Sequence, residues 1–165
     1  MVYRQGSACD RRKWLMTRKR DDEALRLSRQ LCFAVYSTAH AFNRAYRPLL
    51  ALLDLTYPQY LIMLTLWERD DVPVKEIGQQ LHLDSGTLTP LLKRLEAAGL
   101  VRRRRDAADE RQVRIGLTPK GRALRDKAHS VPREILCASG RTADELHALR
   151  AELITLRDRL NAATG

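Results

Sequence analysis

Apolar residues in the first third of the chain recur with the spacing of an α-helix. From Asp21 to about Leu53 this pattern predicts one long helix, and the acidic run at 21–23 suits the positive end of its dipole. Pro48 predicts a kink or a split near the end of this helix, because proline lacks a backbone donor and its ring clashes with the preceding turn.

Three shorter helices are predicted after a break at 57–58, in the segments "PQYLIMLTLWE", "VPVKEIGQQL" and "HLDSGTLTPLLKRLEAAGL". The third helix has Asp84 or Ser85 as its N-cap and Gly99 as its C-terminal stop. Pro90 lies within the same segment, and it predicts a late helix start or a local bend.

The segment "LVRRRRDAADERQVRIGLT" predicts a β-hairpin. Its extended parts lie at about 101–105 and 112–117, on either side of a polar turn. Thr118 and Pro119 then cap and open a further helix, since proline is well placed at the first helical position.

The last helix is predicted to start at Thr142, where Glu145 three residues later completes a capping box. Leucines follow at alternating spacings of three and four residues, namely Leu146, Leu149, Leu153, Leu156 and Leu160. This seam is typical of a coiled coil, and it packs either inside the chain or against a second protomer.

The order of these elements predicts a mainly α fold with a small β-wing, a winged helix-turn-helix. We expect the DNA-binding domain at 54–118 and a helical dimerisation region formed by 21–53 and 119–163. Residues 1–20 are predicted to be a disordered basic arm, because they lack apolar periodicity.

Charge indicates a polyanionic partner. The net charge is +10, and it is concentrated: residues 1–20 hold seven Lys or Arg and one Asp, and residues 93–127 hold twelve Lys or Arg and five acidic residues. Scattered charge usually marks only a solvated surface, but a dense basic stretch beside a helix favours nucleic acid.

Several classes of protein are disfavoured. No apolar run reaches the roughly 18 residues of a membrane span, and the N-terminus lacks the apolar core of a signal peptide, so we expect a cytoplasmic protein without a membrane partner. Three cysteines without a secretory signal argue against a disulfide scaffold. The four histidines are scattered without paired ligand spacing, so we expect neither a metal nor a cofactor.

The helix predicted at 82–100 is the candidate recognition helix, because the first turn of such a helix meets base edges in the major groove. The candidate DNA-binding residues of this turn are Asp84, Ser85, Thr87 and Thr89. Lys93 and Arg94 lie further along and suit phosphates. In the hairpin, Arg111 is the candidate for contact with a minor groove. A salt bridge to Asp109 would hold it in place for that contact; the alternative is that this pair only stabilises the turn.

Cys32 and three tyrosines lie on or just after the first predicted helix. Tyr36 is one turn from Cys32, whereas Tyr46 returns to nearly the same face about 21 Å further along the axis. Within one straight helix these two cannot touch, so a contact would need a second chain and therefore a dimer. The alternative is that Cys32 is a small buried apolar residue and that the tyrosines belong to the core.

The segment "LDSGTLTPLLKRLEAAGLVRRRRDAADERQVRIGLTPKG" resembles the winged-helix core of the MarR family of dimeric bacterial repressors. The D-x-R pattern of the hairpin followed by "LTPKG" is a specific part of this match. The similarity covers roughly residues 25–163, and it implies a homodimer that binds double-stranded operator DNA.

"LCFAVY", with tyrosines 14 and 25 residues beyond the cysteine, resembles the organic-hydroperoxide-sensing branch of that family. The resemblance implies that Cys32 is the peroxidatic sensor and that Tyr46 and Tyr57 of the partner subunit hydrogen-bond it, with Tyr36 nearby. Cys137 resembles the resolving cysteine of the two-cysteine members, which forms a disulfide with the sensor of the other protomer.

The chemistry implied is coherent, because a thiolate attacks peroxide and phenolic donors stabilise the charged sulfur. Apolar neighbours such as Phe33 suit an organic hydroperoxide as the effector. The product at Cys32 is a sulfenic acid, the first step of thiol oxidation.

Three other functions remain open on the residues alone. One is a MarR-type repressor released by a small aromatic ligand, with Cys32 structural. The second is a thiol peroxidase, which the lack of a CxxC motif and the basic hairpin disfavour. The third is an architectural protein that binds DNA without regard to its sequence.

Overall fold

The computed structural model describes residues 21–106, 109 and 111–164, so the predicted basic arm at 1–20 and Cys9 lie outside the described residues. The chain divides into two compact units, one ending at Phe42 and the other beginning at Asn43. Among the helices described, none combines the length and the hydropathy that a bilayer span requires.

The first unit begins with two short helical turns rather than one continuous helix. Helix α1 spans Asp21–Ala24, a 3₁₀ turn spans Leu27–Arg29, and α2 starts only at Leu31. The prediction of an unbroken helix from Asp21 was therefore wrong. The side-chain amide of Gln30 donates to the carbonyl oxygen of Ala24, and this bond satisfies an acceptor that α1 leaves open where it ends.

Helix α2 spans Leu31–Ala51 and runs through Pro48 without being split. Because proline has no backbone N–H, the carbonyl oxygen of Arg44, four residues earlier, loses its helical hydrogen bond. The helix ends two residues before the predicted Leu53, and Leu50, Leu53 and Leu55 are buried, so packing of this end against the core outweighs the lost bond.

The predicted helices of the second unit are present. Helix α3 spans Tyr57–Glu68 and opens with a capping box, in which the backbone N–H of Thr56 donates to Oε1 of Gln59 at 2.8 Å. Helices α4 and α5 span Val74–Leu81 and Ser85–Ala97.

The hairpin is also present, with β2 at Val101–Arg105 and β3 at Val113–Leu117. A third strand was not predicted: β1, Val72–Pro73, pairs antiparallel with β3, so the strand order is β1-β3-β2. Two residues, one of them proline, cannot show the alternation by which strands are recognised.

The core of the second unit is apolar and lies between its helices and the sheet. The largest side chains with less than 2% exposure are Leu50, Ile62, Met63, Leu66, Val72, Ile77, Leu88, Leu92, Leu95 and Ile115. They come from α2, α3, α4, α5, β1 and β3, so burial of one face of each element holds the recognition helix and the sheet together.

Three helices follow the hairpin: α6 at Pro119–Ala128, α7 at Ser130–Ser139 and α8 at Ala143–Thr164. Both predicted caps are confirmed. Oγ1 of Thr118 accepts from the backbone N–H of Gly121 at 3.0 Å, and Thr142 and Glu145 exchange the two bonds of a capping box, at 2.9 and 3.3 Å. Helix α8 has no buried residue, and Leu149, Leu153 and Leu160 of its leucine seam are exposed in the single chain.

Candidate functional site

The first turn of α5 holds the predicted polar residues together. Oδ1 and Oδ2 of Asp84 accept from the backbone N–H and the hydroxyl of Thr87, both at 2.9 Å, which confirms Asp84 as the N-cap and lowers the pKa of its carboxyl. The hydroxyl of Thr89 donates to the carbonyl oxygen of Ser85 at 2.7 Å. Asp84, Ser85 and Thr87 are exposed and Thr89 is half-buried.

The rest of α5 separates into an inner and an outer face. Leu88, Leu92 and Leu95 are buried, whereas Lys93 and Arg94 are exposed. Pro90 lies inside the helix, which starts at Ser85, so the alternative of a late helix start was wrong. The exposed polar residues of α5 therefore lie outside its buried leucine face.

At the tip of the hairpin, Asp109 accepts from a backbone N–H and a side-chain amide rather than from a guanidinium group. Its Oδ1 accepts from the backbone N–H of Arg111 at 3.0 Å, and its Oδ2 accepts from the side-chain amide of Gln112 at 3.0 Å. Among the described residues no ion pair joins Asp109 to Arg111. The alternative in which Asp109 stabilises the turn fits this geometry, and the side chain of Arg111 is exposed.

The hairpin carries an ionic network that was not predicted. The carboxylate of Asp71 accepts from Nε of Arg104 at 3.0 Å and from Nε of Arg114 at 2.9 Å, and Nη1 of Arg114 pairs with Asp106 at 2.9 Å. The hydrogen bond from Arg104 and then that from Arg114 hold the pKa of Asp71 below its usual value. These partners lie 33 and 43 residues apart, so no local spacing could have revealed them.

Two of the predicted phenols are brought together in the second unit. The rings of Tyr46 and Tyr57 have centroids 4.8 Å apart, and the ring of Tyr60 lies 6.0 Å from that of Tyr46. Burial, followed by the neighbouring phenols of Tyr57 and Tyr60, raises the pKa of Tyr46 to about 12, and burial also raises the pKa of Tyr57. Both phenols therefore keep their protons, and remain donors, at neutral pH.

Tyr60 was missed because nothing in its sequence spacing distinguishes it from a core residue. It is only 2% exposed, and its ring also lies edge-on to Trp67, with centroids 6.3 Å apart. The indole N–H of Trp67 in turn donates to the carbonyl oxygen of Gly121 at 2.9 Å. The phenol pair therefore rests on an aromatic layer that reaches the start of α6.

In the first unit, Cys32 and Tyr36 lie one turn apart on α2 and both side chains are exposed. The ring of Tyr36 packs edge-on against His40, with centroids 4.3 Å apart. In the second unit, Cys137 on α7 is a free and exposed thiol. The alternative in which Cys32 is a buried apolar residue therefore does not hold within the single chain.

The described residues offer no metal site, and one cavity among them is lined largely by charged and amide side chains. No group of three or more His, Cys, Asp or Glu side chains could hold an ion there. A cavity of about 680 Å³ is lined by Thr65, Glu68, Arg69, Val72, Glu76, Gln79 and Gln80. Its lining holds an ion pair between Arg69 and Glu76 and two glutamines, unlike the predominantly apolar pockets that bind aromatic ligands.

Comparison with known proteins identifies relatives over nearly the whole chain. Residues 44–128 match the family model described as Transcriptional regulator SarA/Rot. The chain is 56% identical over 154 residues to the HTH-type transcriptional regulator TtmR of Methylorubrum extorquens, covering 93% of this chain and 79% of that protein. It is 46% identical over 137 residues to the organic hydroperoxide resistance transcriptional regulator of Bacillus subtilis, covering 83% of this chain and 93% of that protein.

Solved structures of AbfR of Staphylococcus epidermidis share the fold, at a TM-score of 0.72 and 37% identity over 87% of this chain and 99% of that one. Reduced AbfR bound to DNA gives a TM-score of 0.70 at 37% identity, covering 84% of this chain and 97% of that one. The first two relatives are transcriptional regulators and AbfR binds DNA, which agrees with the predicted class of protein. The chain therefore belongs to the family of MarR-like winged-helix transcriptional regulators that the SarA/Rot model describes.

Proposed function

We propose that this protein is a homodimeric transcriptional repressor that senses organic hydroperoxides by oxidation of Cys32. The observation that carries the proposal is an exposed thiol in a chain that also holds two paired, protonated phenols, Tyr46 and Tyr57. The 46% identity to an organic hydroperoxide resistance regulator supports the same assignment. The exposed polar face of α5 and Arg111 on the wing are the proposed contacts to operator DNA.

The first chemical step is attack of the Cys32 thiolate on the terminal oxygen of a hydroperoxide. A sulfur–oxygen bond forms, the oxygen–oxygen bond breaks, and the alkoxide that leaves takes up a proton to become an alcohol. Phenolic donors stabilise the thiolate before attack. Apolar side chains near the thiol in sequence, Leu31, Phe33 and Val35, are exposed, and they suit an alkyl or aryl hydroperoxide better than hydrogen peroxide.

Dimerisation supplies the donors in this proposal. Fourteen residues of helix separate Cys32 from Tyr46, so the phenols that reach the sensor are proposed to belong to the partner subunit. Exposed apolar residues on 21–53 and on α8 support such an interface, since Leu31, Leu149, Leu153 and Leu160 are all at least 42% exposed in the single chain. The winged-helix portion at 54–118 is then the DNA-binding domain.

The second step is resolution by Cys137. Its thiolate attacks the sulfenic sulfur of the partner's Cys32, so a disulfide forms, the sulfur–oxygen bond breaks, and hydroxide leaves as water. A disulfide requires Cα atoms within about 7 Å, so the proposal is that its formation moves the helices that carry the DNA-binding domains. Two recognition helices must match half-sites about one helical turn of DNA apart, and a shift of several ångströms abandons that fit.

The test is whether oxidation releases the protein from DNA. Fluorescence anisotropy of a labelled duplex, selected from a random library, measures the release. Cumene hydroperoxide should release the reduced wild-type protein, and Cys32→Ser should stay bound. Cys137→Ser should form the sulfenic acid but no dimer that survives a non-reducing gel, whereas Cys9→Ser serves as the matched thiol control. If Cys32→Ser is released by the peroxide as readily as the wild type, the thiol-switch proposal is wrong.

The same variant separates the proposal from its rival. A repressor released by a small aromatic ligand would respond to that ligand with or without Cys32, and salicylate is a suitable probe. Equal affinity for the selected duplex and for a random duplex at one salt concentration would instead indicate binding that ignores sequence.

A further inference from the structure

We infer that Asp71 divides four arginines near the tip of the wing, at 104, 105, 111 and 114, into two sets with different roles. Arg104 and Arg114 are paired with carboxylates and fix the hairpin to the rest of the fold, whereas Arg105 and Arg111 are the wing cations that contact DNA phosphates. This inference concerns the reduced protein and does not depend on hydroperoxide sensing.

The strand register places two arginines opposite each other, and Asp71 offsets their repulsion. In the antiparallel pairing of β2 with β3, Arg104 lies directly opposite Arg114. Two like charges in that position destabilise a sheet. The carboxylate of Asp71 lies between them, with Oδ1 bonded to Nε of Arg104 at 3.0 Å and Oδ2 to Nε of Arg114 at 2.9 Å. Asp106 accepts from Nη1 of Arg114 at 2.9 Å, so two cations are matched by two anions.

The segment that holds Asp71 is itself fixed to the sheet. Asp71 lies just before β1 with a positive φ of 60°, a conformation that aspartate tolerates better than most residues. Oδ1 of the preceding Asp70 accepts from the backbone N–H of Leu117 at 2.7 Å and from that of Asp71 at 2.8 Å. Asp70 also pairs with Arg122 on α6. Residues 70–71 therefore bind both strands of the hairpin and the helix that follows.

The other arginines differ in their surroundings. Arg105 is opposite Val113 in the register, and Arg105 and Arg111 are both exposed. Within the part of the chain that the structure describes, neither takes part in an ion pair. A guanidinium already bound by carboxylates gains little from a phosphate, whereas an unpaired one releases counterions from DNA when it binds.

The experiment is the salt dependence of binding to a random-sequence duplex, measured for the reduced full-length protein. Each phosphate contact contributes about 0.9 to the slope of log affinity against log salt. Arg105→Gln and Arg111→Gln should each lower the slope by about 0.9 for every wing engaged. Arg104→Gln and Arg114→Gln, which remove the same charge from the same hairpin, should leave it unchanged.

Asp71→Asn tests the division from the opposite side. It removes the carboxylate charge that Arg104 and Arg114 share, while Arg114 keeps its pair with Asp106. The slope should therefore increase and binding to the random duplex should become tighter, mainly through Arg104, while preference for a selected duplex should fall because the wing loses one of its attachments. Circular dichroism reports whether this variant folds. If the variant does not fold, the slopes of the four arginine variants decide the test. Equal slope losses for all four arginine variants, or an unchanged slope in a folded Asp71→Asn protein, would overturn the inference.

Discussion

Gly121→Ala should disrupt the junction between the wing and α6. An added Cβ at this position would lie 2.0 Å from the carbonyl oxygen of Leu100 and 3.3 Å from a side-chain carbon of Leu117. The oxygen cannot simply rotate away, because it accepts from the backbone N–H of Thr118 at 3.1 Å. The backbone must therefore separate by more than an ångström. That movement breaks this bond and the one from the Trp67 indole to Gly121.

The expected cost can be worked from these contacts. Overpacking costs about 1–3 kcal/mol, and leaving the buried indole donor unsatisfied costs about 1–3 kcal/mol more. Alanine recovers about 1 kcal/mol over glycine through its helix propensity. We therefore expect Gly121→Ala to lower the free energy of unfolding by about 3 kcal/mol.

The free energy of unfolding is measured by urea titration, with circular dichroism as the signal. All proteins are compared at one concentration, because the stability of a dimer depends on its concentration. Gly140→Ala is the matched control. Gly140 has a φ of +64° and no atom within 4 Å of an added Cβ, so only backbone strain remains, about 1 kcal/mol. Should Gly121→Ala prove no more destabilising than Gly140→Ala, the junction would be compliant and the reasoning from close approach would be wrong.

Three further predictions test other parts of the molecule. Trp67→Phe keeps the aromatic packing but removes the donor to Gly121, so the free energy of unfolding should fall by about 1–2 kcal/mol in the same urea assay; a loss below the error of the extrapolation would contradict this. The pKa of Tyr46 is raised to about 12 in the folded state, so folding favours its neutral form; the associated stability is complete below the ordinary tyrosine pKa of about 10 and is lost as pH rises through 12. Absorbance at 295 nm should show a last phenol ionisation step that Tyr46→Phe removes. Leu153→Lys, at a residue 45% exposed in the single chain, should leave the circular dichroism spectrum intact but shift sedimentation towards the monomer, whereas Arg150→Glu should not; a dimer unchanged by Leu153→Lys would rule out the leucine seam as its interface.

Local patterns predicted most of the secondary structure. The hairpin and most helices of the second unit follow from alternation, helical spacing and caps, because those signals lie within a few residues, but the separate helix α7 was not predicted. The breaks before α2 depend on the side chain of Gln30 binding back to a carbonyl, and β1 is only two residues long. Neither leaves a periodic trace in the sequence.

The candidate site was likewise predictable from sequence only where its contacts are local. The N-cap role of Asp84 follows from local preference, but the pairing of Asp71 with Arg104 and Arg114 connects residues far apart in sequence. The roles predicted for Cys32, Tyr46 and Tyr57 rest on resemblance to a known family and not on their spacing. Tyr60 completes the phenol cluster only through tertiary packing, which no single-sequence pattern encodes.

The attachment of the hairpin through Asp71 also bears on how such regulators diversify. The ionic bonds hold positions 104, 106 and 114, so the strand ends next to the turn are anchored to the rest of the fold. Insertions or substitutions in that turn can then accumulate without tilting its base. If the tip contacts DNA as proposed, changes confined to it would alter DNA preference while the ionic attachment of the strands stays constant.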